Sequence, residues 1–130
     1  MKKLIYSLIF SSLICIFFSA IAFAEDVYVG NHGINATGTK RIDCYLITES
    51  ISITNDVCYA DVKEVLNNER MVGLLHYAFC WSPGESIWKF HKNYDNERPP
   101  RNWYPLENDN VASTVFYDYV KPKRASQMSR

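Results

Sequence analysis

Between Met71 and Trp81 the chain carries apolar residues on both phases of a two-residue repeat. Val72, Leu74, Ala78 and Cys80 fall on one face, and Leu75, Tyr77, Phe79 and Trp81 on the other. That pattern predicts a central β-strand covered on both sides. Ser82-Pro83-Gly84-Glu85 supplies turn residues. Residues 87–91 resume as a strand, with Trp88 and Phe90 on one face and Lys89 and His91 on the other. Upstream, residues 57–66 show a clear period of two: Cys58, Ala60 and Val62 inward, Asp61 and Lys63 outward. Residues 42–48 form another strand. Residues 26–29 form a short one that ends at Gly30, before a loop at 31–39 rich in Gly, Asn and Thr.

After the fifth strand, residues 92–105 contain Pro99, Pro100 and Pro105 and read as a crossing loop. Asp109 caps a predicted helix over 110–120, whose Ala112, Val115, Phe116, Tyr119 and Val120 make an apolar stripe at helical spacing. Pro122 is expected to stop it, leaving 121–130 as a basic, disordered tail. Five strands in hairpin order followed by one amphipathic helix give an α+β class: a small antiparallel five-stranded meander with the helix packed on it.

The turn at Asn67–Arg70 suggests a register for the third and fourth strands. If Asn67 pairs with Met71, Cys58 stands opposite Cys80, Tyr59 opposite Phe79 and Ala60 opposite Ala78. A Cys58–Cys80 disulfide is then within reach. The alternative is two buried thiols acting as small hydrophobes.

The first residues bear on compartment. Lys2 and Lys3 precede an apolar run over 4–18, and Ala22-Phe23-Ala24 is a small-x-small processing box. This is the form of a secretory signal peptide over 1–24, cleaved between Ala24 and Glu25; the alternative is an uncleaved anchor. Cleavage leaves a single domain over 25–120 and the tail. It also leaves Cys44, Cys58 and Cys80, an odd number, so at least one thiol stays unpaired. Removing two lysines from fourteen basic and fourteen acidic residues leaves a net charge of −2. No basic face is implied, which argues against nucleic acid as a partner.

The succession Val27-Tyr28-Val29-Gly30, Tyr45-Leu46-Ile47-Thr48-Glu49-Ser50-Ile51, Val62-Lys63-Glu64-Val65, His76-Tyr77-Ala78-Phe79 and Trp88-Lys89-Phe90, closed by a helix, resembles a group of short exported bacterial proteins of unknown function. The layout is also similar to surface-adhesin protein E-like domains, in which a small antiparallel sheet packs on a helix and binds host matrix proteins. This likeness is one of architecture. It implies a surface role and carries over no binding motif.

Chemistry-bearing patterns are few. His76 and Cys80 share a strand face but lie about 13 Å apart at the strand rise, too far for a nucleophile and its base. His32, His76, His91 and the cysteines show no CxxC, HxH or HExxH spacing, so no metal or cofactor is expected. The most suggestive surface segment runs from Arg98 to Pro105. Arg98, Arg101, Trp103 and Tyr104 are residue types that anchor interfaces, though Trp103 and Tyr104 could equally plug a sheet edge. The expectation is an exported, non-catalytic binding or surface-associated module. Its partner would be a protein or a cell-surface polymer, with no stable membrane insertion after cleavage. The alternatives are an exported inhibitor of a hydrolase and a small thiol or redox protein using an unpaired cysteine.

Overall fold

In the computed structural model, which describes residues 26–34 and 37–128, six antiparallel strands lie side by side in chain order. They are β1 (Asp26–Ile34), β2 (Arg41–Ile53), β3 (Val57–Leu66), β4 (Arg70–Ser82), β5 (Ile87–Tyr94) and β6 (Tyr104–Pro105). A 3₁₀ turn (Leu106–Asn108) leads into α1 (Asn110–Val115), a π-helical stretch (Phe116–Val120) and α2 (Lys121–Met128). The signal peptide expected over 1–24 and the processing position expected between Ala24 and Glu25 lie outside the described residues. No helix among the described residues is long and apolar enough to cross a membrane.

The α+β class holds, and the meander has six strands instead of five. The sixth is two residues long: Tyr104 pairs with Phe90 and Pro105 with Lys89. Proline is tolerated there because an edge strand leaves one side without ladder bonds. Bulges punctuate the sheet, which curls into a half-barrel. β1 carries an extra residue between Tyr28 and Gly30, and β4 carries one at Val72. Such insertions bend a strand and increase its twist.

The register of β3 and β4 differs from the expected one. Asn67 and Asn68 both adopt positive φ, 51° and 59°, a conformation asparagine tolerates better than most residues. The turn therefore closes one residue early, on Leu66 and Arg70. The bulge at Val72 then shifts the ladder once more. Cys58 stands opposite Phe79, and Cys80 opposite Val57. Cys58 is buried on the helix side, Cys80 belongs to the opposite phase, and both are free thiols. The Cys58–Cys80 disulfide is thus corrected: side chains on opposite faces of a sheet cannot meet. His76 likewise faces Asp61, not Val62.

The core lies between the concave face of the sheet and the helix. Val111, Ala112, Val115, Phe116 and Val120 are buried against Leu46, Val62, Tyr77 and Phe79 in one cluster, with Tyr119 partly covered. The Phe116 ring sits 5.5 Å from Phe79 and 4.8 Å from Trp88, centroid to centroid. The expected apolar stripe is therefore the buried one.

Pro122 does not end the helix, and the tail expected to be disordered is helical to Met128. Two features explain this. Lys121 N–H reaches back five residues to the carbonyl of Phe116, a widened turn that accommodates the proline immediately after it. The tail is also anchored: Lys123 Nζ donates to the Ile51 carbonyl at 3.2 Å, and the Arg124 guanidinium lies 5.1 Å from the Trp88 ring centroid.

Candidate functional site

A polar cluster is built into the core where β1, β2, β3, β4 and the start of α1 converge. The ladders place Gly30, Cys44, Glu64 and Gly73 in one row across four strands. In β1 the bulge puts both Val29 and Gly30 on the inner side. The next inward position is then His32 instead of Asn31. Gly30 has φ +125°, and a β-carbon there would come within 3.2 Å of Asn110 Nδ2 and 3.4 Å of Val111 Cγ2. The glycine thus lets β1 lie close against the helix start. At the other end of the row, a β-carbon on Gly73 would meet Tyr94 Cε1 at 2.8 Å and Glu64 Oε1 at 3.1 Å.

His32 is the hub. Its Nδ1 lies 3.0 Å from Glu64 Oε2 and 3.3 Å from Cys44 Sγ. Its Nε2 lies 3.4 Å from Asp109 Oδ1 and 3.2 Å from the Tyr77 hydroxyl. Tyr77 donates to Asp109 Oδ2 at 3.1 Å, and Lys92 Nζ donates to the same oxygen at 2.7 Å. Asp109 Oδ1 also accepts from the backbone N–H groups of Val111 and Ala112, at 2.9 and 3.2 Å. The residue expected as a helix cap therefore also ties the helix to the sheet.

The electrostatics follow from these contacts. Burial opposes a charge on His32, but hydrogen bonds to Asp109, Cys44 and Glu64 outweigh it and raise the imidazole pKa to about 11. Burial alone would raise the Glu64 carboxyl; bonds from His32 and Tyr94 prevail and hold it below its ordinary range. Asp109 is likewise held low against its burial by His32 and Lys92. Burial, together with the Asp109 carboxylate, pushes the Tyr77 phenol well above its usual value. The cluster therefore sets two cations, His32 and Lys92, against two carboxylates, Glu64 and Asp109.

Cys44, His32 and Glu64 also offer one thiol, one imidazole and one carboxylate, whose donor atoms all lie within 4.8 Å of one another. Cys44 and Glu64 are buried, and the His32 side chain is 13% exposed. A buried thiol beside an imidazole that faces a carboxylate has the outline of a nucleophile site. Full burial of Cys44 closes it to a substrate and leaves its chemistry to protons and ions.

The surface segment nominated from sequence lies elsewhere. Arg98 and Arg101 are exposed, Tyr104 is 45% exposed, and Trp103 is half-buried. Trp103 lies over His91 on the convex face, ring centroids 4.1 Å apart. Burial holds the His91 imidazole pKa below its ordinary value, and its Nδ1 is buried without a hydrogen-bond partner. Arg101, Trp103 and Tyr104 border an open groove of about 560 Å³ with Trp81, Pro83 and Lys89. Arg98 does not line it. A second groove, about 400 Å³, starts from the same Trp81 and is lined by Ile87, Leu106, Tyr117 and Lys121.

No family model, curated protein or solved structure matches the chain.

Sequence reasoning missed the His32 cluster because it assigned His32 to a loop beyond a strand ending at Gly30. One signal was present: Glu64 falls on the inward phase of β3, after Cys58, Ala60 and Val62. A carboxylate on an apolar phase calls for buried partners.

Proposed function

We propose that the protein is an exported, non-catalytic binding module that engages a protein partner through the aromatic end of its sheet. The observation that carries this reading is the clustering of exposed apolar side chains around the two grooves that meet at Trp81. Trp81, Ile87, Tyr104 and Tyr117 each leave between 38 and 52% of their surface exposed. Arg101, Lys121, Glu107 and Lys89, the last paired with Glu85, also line these grooves. Aromatic anchors with an arginine beside them are the composition of energetic centres in protein interfaces, and apolar patches with polar rims mark contact sites. The signal-like leader and the architectural resemblance to surface-adhesin domains support an extracellular setting.

The inhibitor reading is weaker. A hydrolase inhibitor presents a projecting rigid loop, whereas the end of this segment is tied to the sheet, by Trp103 on His91 and by the pairing of Tyr104 with Phe90. The thiol reading has Cys80 as its most accessible sulfur, and burial raises that thiol's pKa, which disfavours the reactive thiolate.

The test is retention of the purified protein on immobilised extracellular matrix proteins and on isolated cell wall, with Trp81→Ala and Tyr104→Ala alongside. Retention on a matrix protein that both substitutions abolish, at unchanged melting temperature, is the expected result. Retention on cell wall alone would replace the protein partner with a polymer. Binding untouched by either substitution would remove the aromatic end as the site.

A further inference from the structure

We infer that His32, Cys44 and Glu64 constitute a binding site for one divalent transition-metal ion of the zinc class, ligated by Nδ1, Sγ and Oε2. The site is independent of the aromatic end of the sheet.

The geometry is close to what such an ion requires. Zinc bonds of about 2.0 Å to nitrogen or oxygen and 2.3 Å to sulfur place tetrahedral ligand atoms about 3.3–3.6 Å apart. Nδ1 stands 3.0 Å from Oε2 and 3.3 Å from Sγ, so these two pairs need to spread by only a few tenths of an ångström, and all three donor groups lie within 4.8 Å of one another. They also come from three adjacent strands, with Cys44 and Glu64 paired directly across a ladder. Ligands on strands are held more firmly than ligands on loops.

The surroundings are a second, separate observation. The other nitrogen of His32 faces a carboxylate oxygen of Asp109 and the Tyr77 hydroxyl. Metal-ligating histidines commonly have such an outer partner, which fixes the ring and its tautomer. Glu64 is in turn oriented by a hydrogen bond from Tyr94. Asp109 is neutralised by Lys92 at 2.7 Å and need not supply a ligand.

The donor set selects the ion. Sulfur, imidazole and carboxylate together suit zinc and its neighbours rather than magnesium or calcium, which take oxygen ligands. A thiolate, a carboxylate and a neutral imidazole carry a charge of −2 and balance a divalent cation. Binding displaces the Cys44 thiol proton and the His32 Nδ1 proton, so two protons leave for each ion that enters. The partly exposed His32 side gives the ion a path to water, which fills the fourth position.

The experiment is titration of metal-stripped, full-length purified protein with Zn²⁺, read by native mass spectrometry, and with Co²⁺, read by its thiolate charge-transfer absorption. One ion per chain, a charge-transfer band, and a melting temperature that rises with Zn²⁺ and falls back with EDTA are expected. Cys44→Ser should abolish the band, Glu64→Gln should weaken Zn²⁺ binding at least tenfold, and Cys80→Ser should change neither. If Cys44→Ser fails to fold, the wild-type melts with Zn²⁺ and with EDTA still decide the matter. Identical melts, no retained ion, or a band that survives Cys44→Ser would overturn the assignment.

Discussion

Cys44 and Glu64 stand directly opposite each other across the β2–β3 ladder, both side chains turned toward the helix. A carboxylate on the apolar side of a sheet must be compensated, and His32 and Tyr94 compensate it. This pairing fixes where β1 must deliver a cationic group. It gives the Val29–Gly30 bulge a purpose beyond curvature, because the bulge is what turns His32 inward.

Asp109→Asn keeps an oxygen that can cap the helix but removes the charge opposing His32 and Lys92. Breaking one side of a buried pair costs about 3–5 kcal/mol. Lys92 is 38% exposed, so the lower end of that range is expected. Asp109→Ala should lose about 1 kcal/mol more through the cap. Urea unfolding of both variants measures this, and losses under about half a kcal/mol would show that the cluster behaves like a surface network.

Phe116→Ala should cost about 3–5 kcal/mol, as expected for a fully buried aromatic. Because Trp88 packs 4.8 Å away, its fluorescence should shift in the same variant even under conditions where the protein remains folded. A near-neutral melt would mean the helix stripe is not the core.

The three thiols should behave as separate groups. In denaturant without reductant, Cys44, Cys58 and Cys80 should each take one alkylating group. In the native state Cys58 should react slowly, since burial raises its pKa despite the nearby Arg124. A protected pair in the denatured, unreduced protein would reinstate a disulfide.

His76 links β3 to the loop after β5, with Nδ1 2.7 Å from Asp61 and Nε2 2.7 Å from Asp95. These two carboxylates raise its pKa. A group whose pKa is raised on folding contributes stability that is complete below its unfolded value, about 6.5. That contribution fades as pH climbs through the raised folded value. Stability should therefore decline as pH rises from about 6.5 through the raised folded value, and His76→Gln should flatten the decline. Melting temperatures of the two proteins across the interval check this; parallel curves would show that His76 contributes nothing.

Much of this architecture is legible in the residues. The period of two over 57–66 gives β3 its full extent, and the stripe from Ala112 to Val120 identifies the buried helix face. Both are local patterns set by burial on one side. What was not legible depended on single-residue irregularities. The early turn at Asn67–Asn68 and the bulge at Val72 together moved Cys58 off Cys80. A widened helical turn carried the chain past Pro122, and the β1 bulge brought His32 into the core. Each depends on whether tertiary contacts repay a local departure from regular geometry, and the local pattern does not record that.

The helix that covers the sheet follows all six strands along the chain, and its first turn closes against the first strand, where Asn110 reaches the Asn31 carbonyl. Until residue 110 and its successors emerge, Val62, Tyr77 and Phe79 line an open apolar trough. A chain arrested or clipped before that point would expose its core on one face, with sheet edges available for pairing. Completeness of the C-terminal third is therefore a condition of solubility as well as of stability, and protein truncated there should be found with holdase chaperones or in aggregates.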